Sequence, residues 1–116
     1  TEYPQRIFEI GVIFESLAEK TKLSAAITPG NFTEMKQILE YFSKMIEIDL
    51  IVQEVSEETP VHFIEGRVGE IKIKNTDKKI GFLGEIHPKI LKNWHIKMPV
   101  ALFEISLEEI FDVLGG

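Results

Sequence analysis

Apolar and polar positions along this chain follow two different periods, and each change of period marks an element. Over residues 7–14 the period is two. Phe8, Ile10, Val12 and Phe14 share one face, Ile7, Glu9, Gly11 and Ile13 the other, and this alternation predicts a strand. Residues 16–23 are polar and fit either a helical turn or a hairpin end. Residues 23–28, small and β-branched, predict a second strand that Pro29-Gly30 terminates. The period then becomes helical. Met35, Ile38, Leu39, Phe42, Met45 and Ile46 recur every three or four residues and predict a helix over 31–48 with that stripe against the core. Asn31 can cap it, and Glu34 stands three residues on, the spacing of a capping box. The pairs Lys36–Glu40 and Glu40–Lys44 add roughly a few tenths of a kcal/mol each, so burial of the stripe has to carry this helix.

Strand patterns return over 50–55, followed by a charged turn at 56–59 that Pro60 closes. Residues 61–65 are apolar but too short to type. Gly66-Arg67 precedes a strand at 68–74, with Gly69, Ile71 and Ile73 on a face expected to be buried and Glu70, Lys72 and Lys74 on one expected to be wet. The polar turn 75–78 leads into a strand at 80–86, which predicts an antiparallel hairpin. The rest of the chain is organised around residues 79–105. After the strand, His87-Pro88 makes a sharp turn, and Ile90, Leu91 and Trp94 follow at helical spacing. An exit loop at 97–99 then feeds a strand at 100–105. Gly81 and Gly84 lack side chains on opposite faces of their strand, which marks a bend or a close approach by another backbone. Residues 106–114 predict a last helix. Ser106 and Glu109 have capping spacing, Ile105 and Ile110 staple spacing, and Leu107, Ile110, Phe111 and Leu114 form the apolar face. The order is strand, strand, long helix, three strands, short helix, strand, helix. It predicts an α/β fold of α+β type: a mostly antiparallel β-sheet flanked by helices on one side or both.

Composition narrows the chemistry. A length of 116 residues allows a single domain, 1–116, and a hydrophobic fraction of 44% supplies its core, with eight phenylalanines and one tryptophan as bulky material. The net charge of −6 disfavours autonomous nucleic-acid binding, and the lysines of 72–79 read as solvated turn charge. The absence of cysteine excludes disulfides, thiolate zinc sites and a cysteine nucleophile, and fits an intracellular protein. No segment has the length of a membrane span. The opening T-E-Y-P, without methionine, reads as an excised piece. His62, His87 and His95 lack metal-ligand spacing; His87 suits a helix cap and His95 a helix end. No phosphate-cradling glycine loop occurs, and Ser16, Ser24, Ser43, Ser56 and Ser106 lack a nucleophile elbow. Glu65, Glu70, Glu85 and Glu104 are the carboxylates of interest. Glu85 and Glu104 lie in otherwise apolar strands and need partners if buried. Arg67, one of two arginines, is expected to pair with Glu85 or Glu104 as a structural or interface contact.

Several stretches carry a family resemblance: Tyr3-Pro4-Gln5-Arg6-Ile7-Phe8-Glu9-Ile10-Gly11, Phe63-Ile64-Glu65-Gly66-Arg67, Gly81-Phe82-Leu83-Gly84-Glu85-Ile86-His87-Pro88, Met98-Pro99-Val100 and Phe103-Glu104. In this order they resemble the C-terminal part of the β subunit of phenylalanyl-tRNA synthetase, archaeal and eukaryotic type. The resemblance implies a class II aminoacyl-tRNA synthetase-like fold, here a partial domain covering roughly the second half of that module. It implies a non-catalytic structural and subunit-assembly role in phenylalanine–tRNA ligase, packed against the catalytic α subunit of an α2β2 heterotetramer in the cytoplasm. ATP and magnesium would belong to the α subunit, and tRNA would be met through the full complex. Gly66, Arg67, Gly81, Gly84, Glu85, His87, Pro88 and Glu104 would be structural or interface positions. The arginine-bearing F-R-x-E and G-x-G-x-x-R patterns of class II catalysis do not occur. Two other readings stand beside this one. One is a small-molecule-binding or enzymatic domain with a cleft near Glu85, His87 and Glu104; the other is a generic interaction domain that forms a homo-oligomer.

Overall fold

The computed structural model describes residues 9–15, 20–56 and 58–115, with side chains over 22–56 and 58–113. Arg6, Ser16 and the first two residues of the predicted first strand lie outside the described residues. The elements are β1 (Glu9–Glu15), β2 (Lys20–Ile27), α1 (Phe32–Ile46), β3 (Leu50–Gln53), β4 (Phe63–Ile73), β5 (Lys79–Ile86), α2 (Pro88–Asn93), β6 (Ala101–Ser106) and α3 (Leu107–Gly115). Their order and types are those the periodicity predicts.

All six strands form one sheet in the order β1-β2-β6-β5-β4-β3, every neighbouring pair antiparallel. Two hairpins, β1–β2 and β4–β5, are local. β6 comes later in the chain and slots between them, placing Ser24 opposite Glu104 on one side and Phe82 opposite Glu104 on the other. Each strand therefore contributes one residue parity to each face. Ala25, Ile27, Ile71, Leu83, Ala101, Phe103 and Ile105 point to the face covered by α1 and α3, where Met35, Leu39 and Ile110 meet them in the main core. Phe103, Met35 and Leu39 are fully buried there, and each side chain contributes about 1.5–3 kcal/mol of burial. The opposite face carries a smaller cluster, Phe63, Ile86 and Leu91, in which α2 packs against the end of the sheet.

The long helix α1 begins with the predicted capping box: the Asn31 side chain accepts from the Glu34 backbone N–H, and the Glu34 carboxylate accepts from Asn31 N–H. It stops earlier than predicted because Glu47 turns left-handed at φ 59°, which lets Ile48 leave the helix and enter the core at 6% exposure. The buried hydroxyl of Ser43 donates to Ile48 O and accepts from Leu50 N–H, tying the helix end to β3.

Several expectations are corrected. β2 begins at Lys20, so residues 20–22, predicted as part of an ambiguous polar stretch, are strand. β3 ends at Gln53 rather than at residue 55. β4 begins at Phe63 and absorbs most of the untyped 61–65 segment; its register shifts between Phe63 and Val68, so the pairing with β5 survives a local irregularity. Three bulky residues assigned to the core lie outside it: Trp94 is 64% exposed, Met45 64% and Phe111 55%. Trp94 is the C-cap residue past the end of α2, and Met45 and Phe111 lie on the solvent-facing sides of their helices. The expected Ser106–Glu109 cap is replaced by contacts of both residues with others: Ser106 Oγ donates to Glu108, and Glu109 pairs with Lys78 at 3.5 Å.

Candidate functional site

Strand alternation divides the polar side chains of the sheet into two sets. On the helix-covered face Glu85 extends from β5 to the start of α1. Its Oε2 accepts from Phe32 N–H at 2.9 Å, one of the helix's orphan donors, and its Oε1 accepts from Arg67 Nη1 at 3.1 Å. The carboxylate is thus fixed between a guanidinium and a helix N-terminus, both of which favour negative charge. Its side chain is 16% exposed, whereas that of Arg67 is 64% exposed. Of the two pairings expected for Arg67, the one with Glu85 forms and the one with Glu104 does not. Pro29, Gly30, Asn31, Glu34 and Pro99 complete a shallow cleft of about 380 Å³ here. Pro99 O accepts from Gly30 N–H and Thr28 Oγ1, joining the β2–α1 turn to the exit loop.

On the other face a second cleft, about 490 Å³, is lined by Lys22, His62, Glu70, Lys79, Phe82, Glu104 and Ser106 among others. Glu70, Phe82 and Glu104 form one cross-strand row, because Glu70 pairs with Phe82 and Phe82 with Glu104. His62 Nε2 lies 3.1 Å from Glu104 Oε1, and its ring packs at a 37° tilt against Phe63, with centroids 4.4 Å apart. Glu70 was expected on a wet face and is instead 1% exposed. Gln53 Nε2 and Ser56 Oγ donate to it, and Lys79 Nζ lies 3.8 Å away. Burial pushes its carboxyl up; the hydrogen bonds from Gln53 and Ser56, with the Lys79 charge, outweigh that and hold it below the ordinary carboxylate value. Among the described residues no polar side-chain atom is buried without a partner.

The glycines explain how close these layers come. A Cβ on Gly81 would stand 1.8 Å from Glu104 O, and one on Gly84 would stand 2.8 Å from Arg67 O and 2.9 Å from Phe63 Cδ1. Both are close approaches of neighbouring strands. Gly66 instead holds φ +86° at the irregularity before Arg67, with open space around it. His87 caps α2, its Nδ1 accepting from Lys89 N–H at 3.1 Å, and Pro88 is the first helical residue.

A single cleft joining Glu85, His87 and Glu104 does not form. Glu85 pairs with Ala101 and Phe82 with Glu104, so the two carboxylates project from opposite faces of the sheet, and His87 is spent on its helix. Sequence reasoning missed the Glu70 set and the His62–Glu104 contact. The face of Glu104 becomes legible only once β6 is placed beside β5, and the burial of Glu70 only once β3 brings Gln53 opposite it. Among the described residues no group of three or more His, Asp or Glu side chains is arranged to hold a metal ion, and no helix is long and apolar enough to cross a membrane.

Comparison with known proteins places this geometry. The family described as phenylalanyl tRNA synthetase beta chain CLM domain matches residues 2–107. The phenylalanine–tRNA ligase β subunit of Thermococcus sibiricus is 43% identical over 119 residues, covering 95% of this chain. That of Pyrococcus furiosus is 42% identical over 121 residues, and that of Archaeoglobus fulgidus 37% over 113. The chain spans 20% of the length of each of these relatives. Among solved structures, a pyrrolysyl tRNA synthetase from Desulfitobacterium hafniense superposes over 99% of this chain and 43% of its own, with a TM-score of 0.60 at 22% identity; this is a likeness of fold.

Proposed function

Because the chain belongs to the phenylalanyl-tRNA synthetase β-chain CLM-domain family, we propose that it is the non-catalytic assembly module of a phenylalanine–tRNA ligase β subunit. It packs against the catalytic α subunit in the cytoplasm, within a heterotetramer. ATP, magnesium and phenylalanine are handled by α, and tRNA is engaged by the whole complex. The 1–116 span is one class II-like unit, roughly the second half of that module. Gly66, Arg67, Gly81, Gly84, Glu85, His87, Pro88 and Glu104 serve architecture and contact.

The observation that carries this reading is the position of Arg67. Adenylate formation needs cations facing the phosphates. Arg67 is the one arginine among the described residues, and it is engaged by Glu85, which is itself bound to the first turn of α1. The carboxylates of the opposite cleft are likewise committed to His62, Gln53, Ser56 and Lys79.

The test is calorimetric titration of the β subunit, purified without its partner, with ATP and phenylalanine. No saturable heat is expected. A second measurement follows amino-acid-dependent ATP–pyrophosphate exchange by the assembled enzyme carrying Arg67→Ala. The rate per assembled particle should match the wild type, and a hundredfold loss in correctly assembled particles would overturn the reading.

A further inference from the structure

Residues 86–103 contain three lysines and two histidines and no carboxylate, in a chain whose net charge is −6. The bias is spatially concentrated. Residues 92–99, at the end of α2 and along the exit loop, are exposed without interruption. Trp94 is 64% exposed, Met98 47% and Ile96 37%. Between α2 and the loop runs a groove of about 470 Å³ lined by Leu91, Lys92, His95, Ile96, Lys97 and Met98 with a proline at each end, and no Asp or Glu lines it. Lys89, Lys92 and Lys97 form no ion pair with a carboxylate among the described residues.

The backbone under this patch is firmly held. Trp94 N–H donates to Ile90 O and Leu91 O, His95 N–H to Lys92 O, and Ile96 N–H to Leu91 O, with His95 in a left-handed conformation at φ 59°. The indole is presented from a closed turn, so its exposure comes from the fold rather than from a loose end.

We propose that the α2–exit-loop patch is an RNA-contacting surface, on which Trp94 stacks against an unpaired base while Lys89, Lys92 and Lys97 neutralise flanking phosphates. It rests on the assembly-module reading and adds to it a place and named residues for an RNA contact. Single-stranded RNA is recognised by aromatic platforms within positive grooves, and every base offers a face to stack on. Protein interfaces enrich Trp and Met but deplete Lys, and here three exposed lysines share the segment with the tryptophan and no acid interrupts it. The charge pattern therefore selects a polyanion with planar groups over an apolar peptide. The overall acidity of the chain limits the contact to this patch, so its affinity is modest by itself and rises where a larger assembly aligns the RNA.

The experiment uses the full-length β subunit assembled with α. Ultraviolet crosslinking to the cognate tRNA and to a mixed-sequence twelve-nucleotide single strand, read by mass spectrometry, should yield adducts within residues 89–98. Trp94→Ala should weaken binding of the short strand about tenfold, the scale of one lost base stack, while Trp94→Phe retains most of it. The triple change Lys89→Glu, Lys92→Glu, Lys97→Glu should also flatten the salt dependence, by about two units of log–log slope for three single-strand phosphate contacts. Adducts confined to other regions, or unchanged affinity in both variants, overturn the proposal. So does loss of α–β assembly by the triple variant with normal RNA binding by the particles that do form, which identifies a protein-docking surface. Failure of the wild-type subunits to assemble would instead refute the function proposed above, and RNA binding by the β subunit alone would still decide this one.

Discussion

Gly81 has no room for a methyl group. The nearest atom to its notional Cβ is a backbone carbonyl of β6, which cannot rotate away. Gly81→Ala should therefore lower stability by about 1–3 kcal/mol or more, whereas Gly66→Ala, strained at φ +86° but unobstructed, should lose about 1 kcal/mol. Denaturant midpoints of the two variants at constant slope would check the order, and equal losses would contradict it. Glu70 makes a prediction of a different kind. Its carboxyl is held below the ordinary value of 4.5 in the folded state, so the unfolded chain takes up the proton first as pH falls. Its stabilising contribution is complete above the ordinary carboxylate value and is lost as pH drops through the lowered one. Glu70→Gln should have a shallower fall in thermal midpoint between pH 5 and pH 3 than the wild type. Parallel curves would mean that the Gln53 and Ser56 hydrogen bonds do not favour the ionised form. Histidines add a lesson about what one residue can reveal. His87 suits a cap by its place before a proline, and it is one; His62 gave no such hint, because its partner is 42 positions away.

At the scale of elements, α1 has two independent sources of N-terminal support. Asn31 supplies the local cap, legible from N-F-T-E, and Glu85 supplies a remote one from β5. Asn31→Ala should cost about 1 kcal/mol. The Arg67–Glu85 pair should be asymmetric. Arg67→Ala removes a mostly exposed cation and should change stability by about 0–1 kcal/mol. Glu85→Ala also strips the acceptor from the half-buried Phe32 N–H and should cost about 1–3 kcal/mol. A double-mutant cycle in thermal or chemical unfolding measures this, and an arginine effect as large as the glutamate effect would refute it. The same helix shows where periodicity stops being informative. Met35 and Met45 both belong to one stripe in the sequence, yet Met35 has no exposure and Met45 is 64% exposed, while Ser43 and Ile46 of the same last turn are the residues that face the core.

For the whole molecule, the sheet order makes β5 and β6 the central pair and leaves β1 and β3 as edges. Native-state amide exchange should be slowest in β5 and β6 and faster in the four-residue edge strand β3. Comparable protection in β3 would require a partner strand that covers that edge. The sheet's two faces divide its tasks: one is sealed by α1 and α3, while the other keeps the His62–Glu104–Glu70 cleft and α2. Sequence alone determined the element order, the α1 cap and the β4–β5 hairpin, and narrowed Gly81 and Gly84 to a bend or a close approach, since each depends on residues within a few positions or on a local period. Only tertiary structure decided that Glu85 and Glu104 face opposite ways, that Glu70 is buried among donors and that Trp94 stands in solvent. The first depends on β6 pairing with β5, the second on β3 and β5 flanking β4, and the third on the turn that ends α2; no local period records which neighbours an element will find.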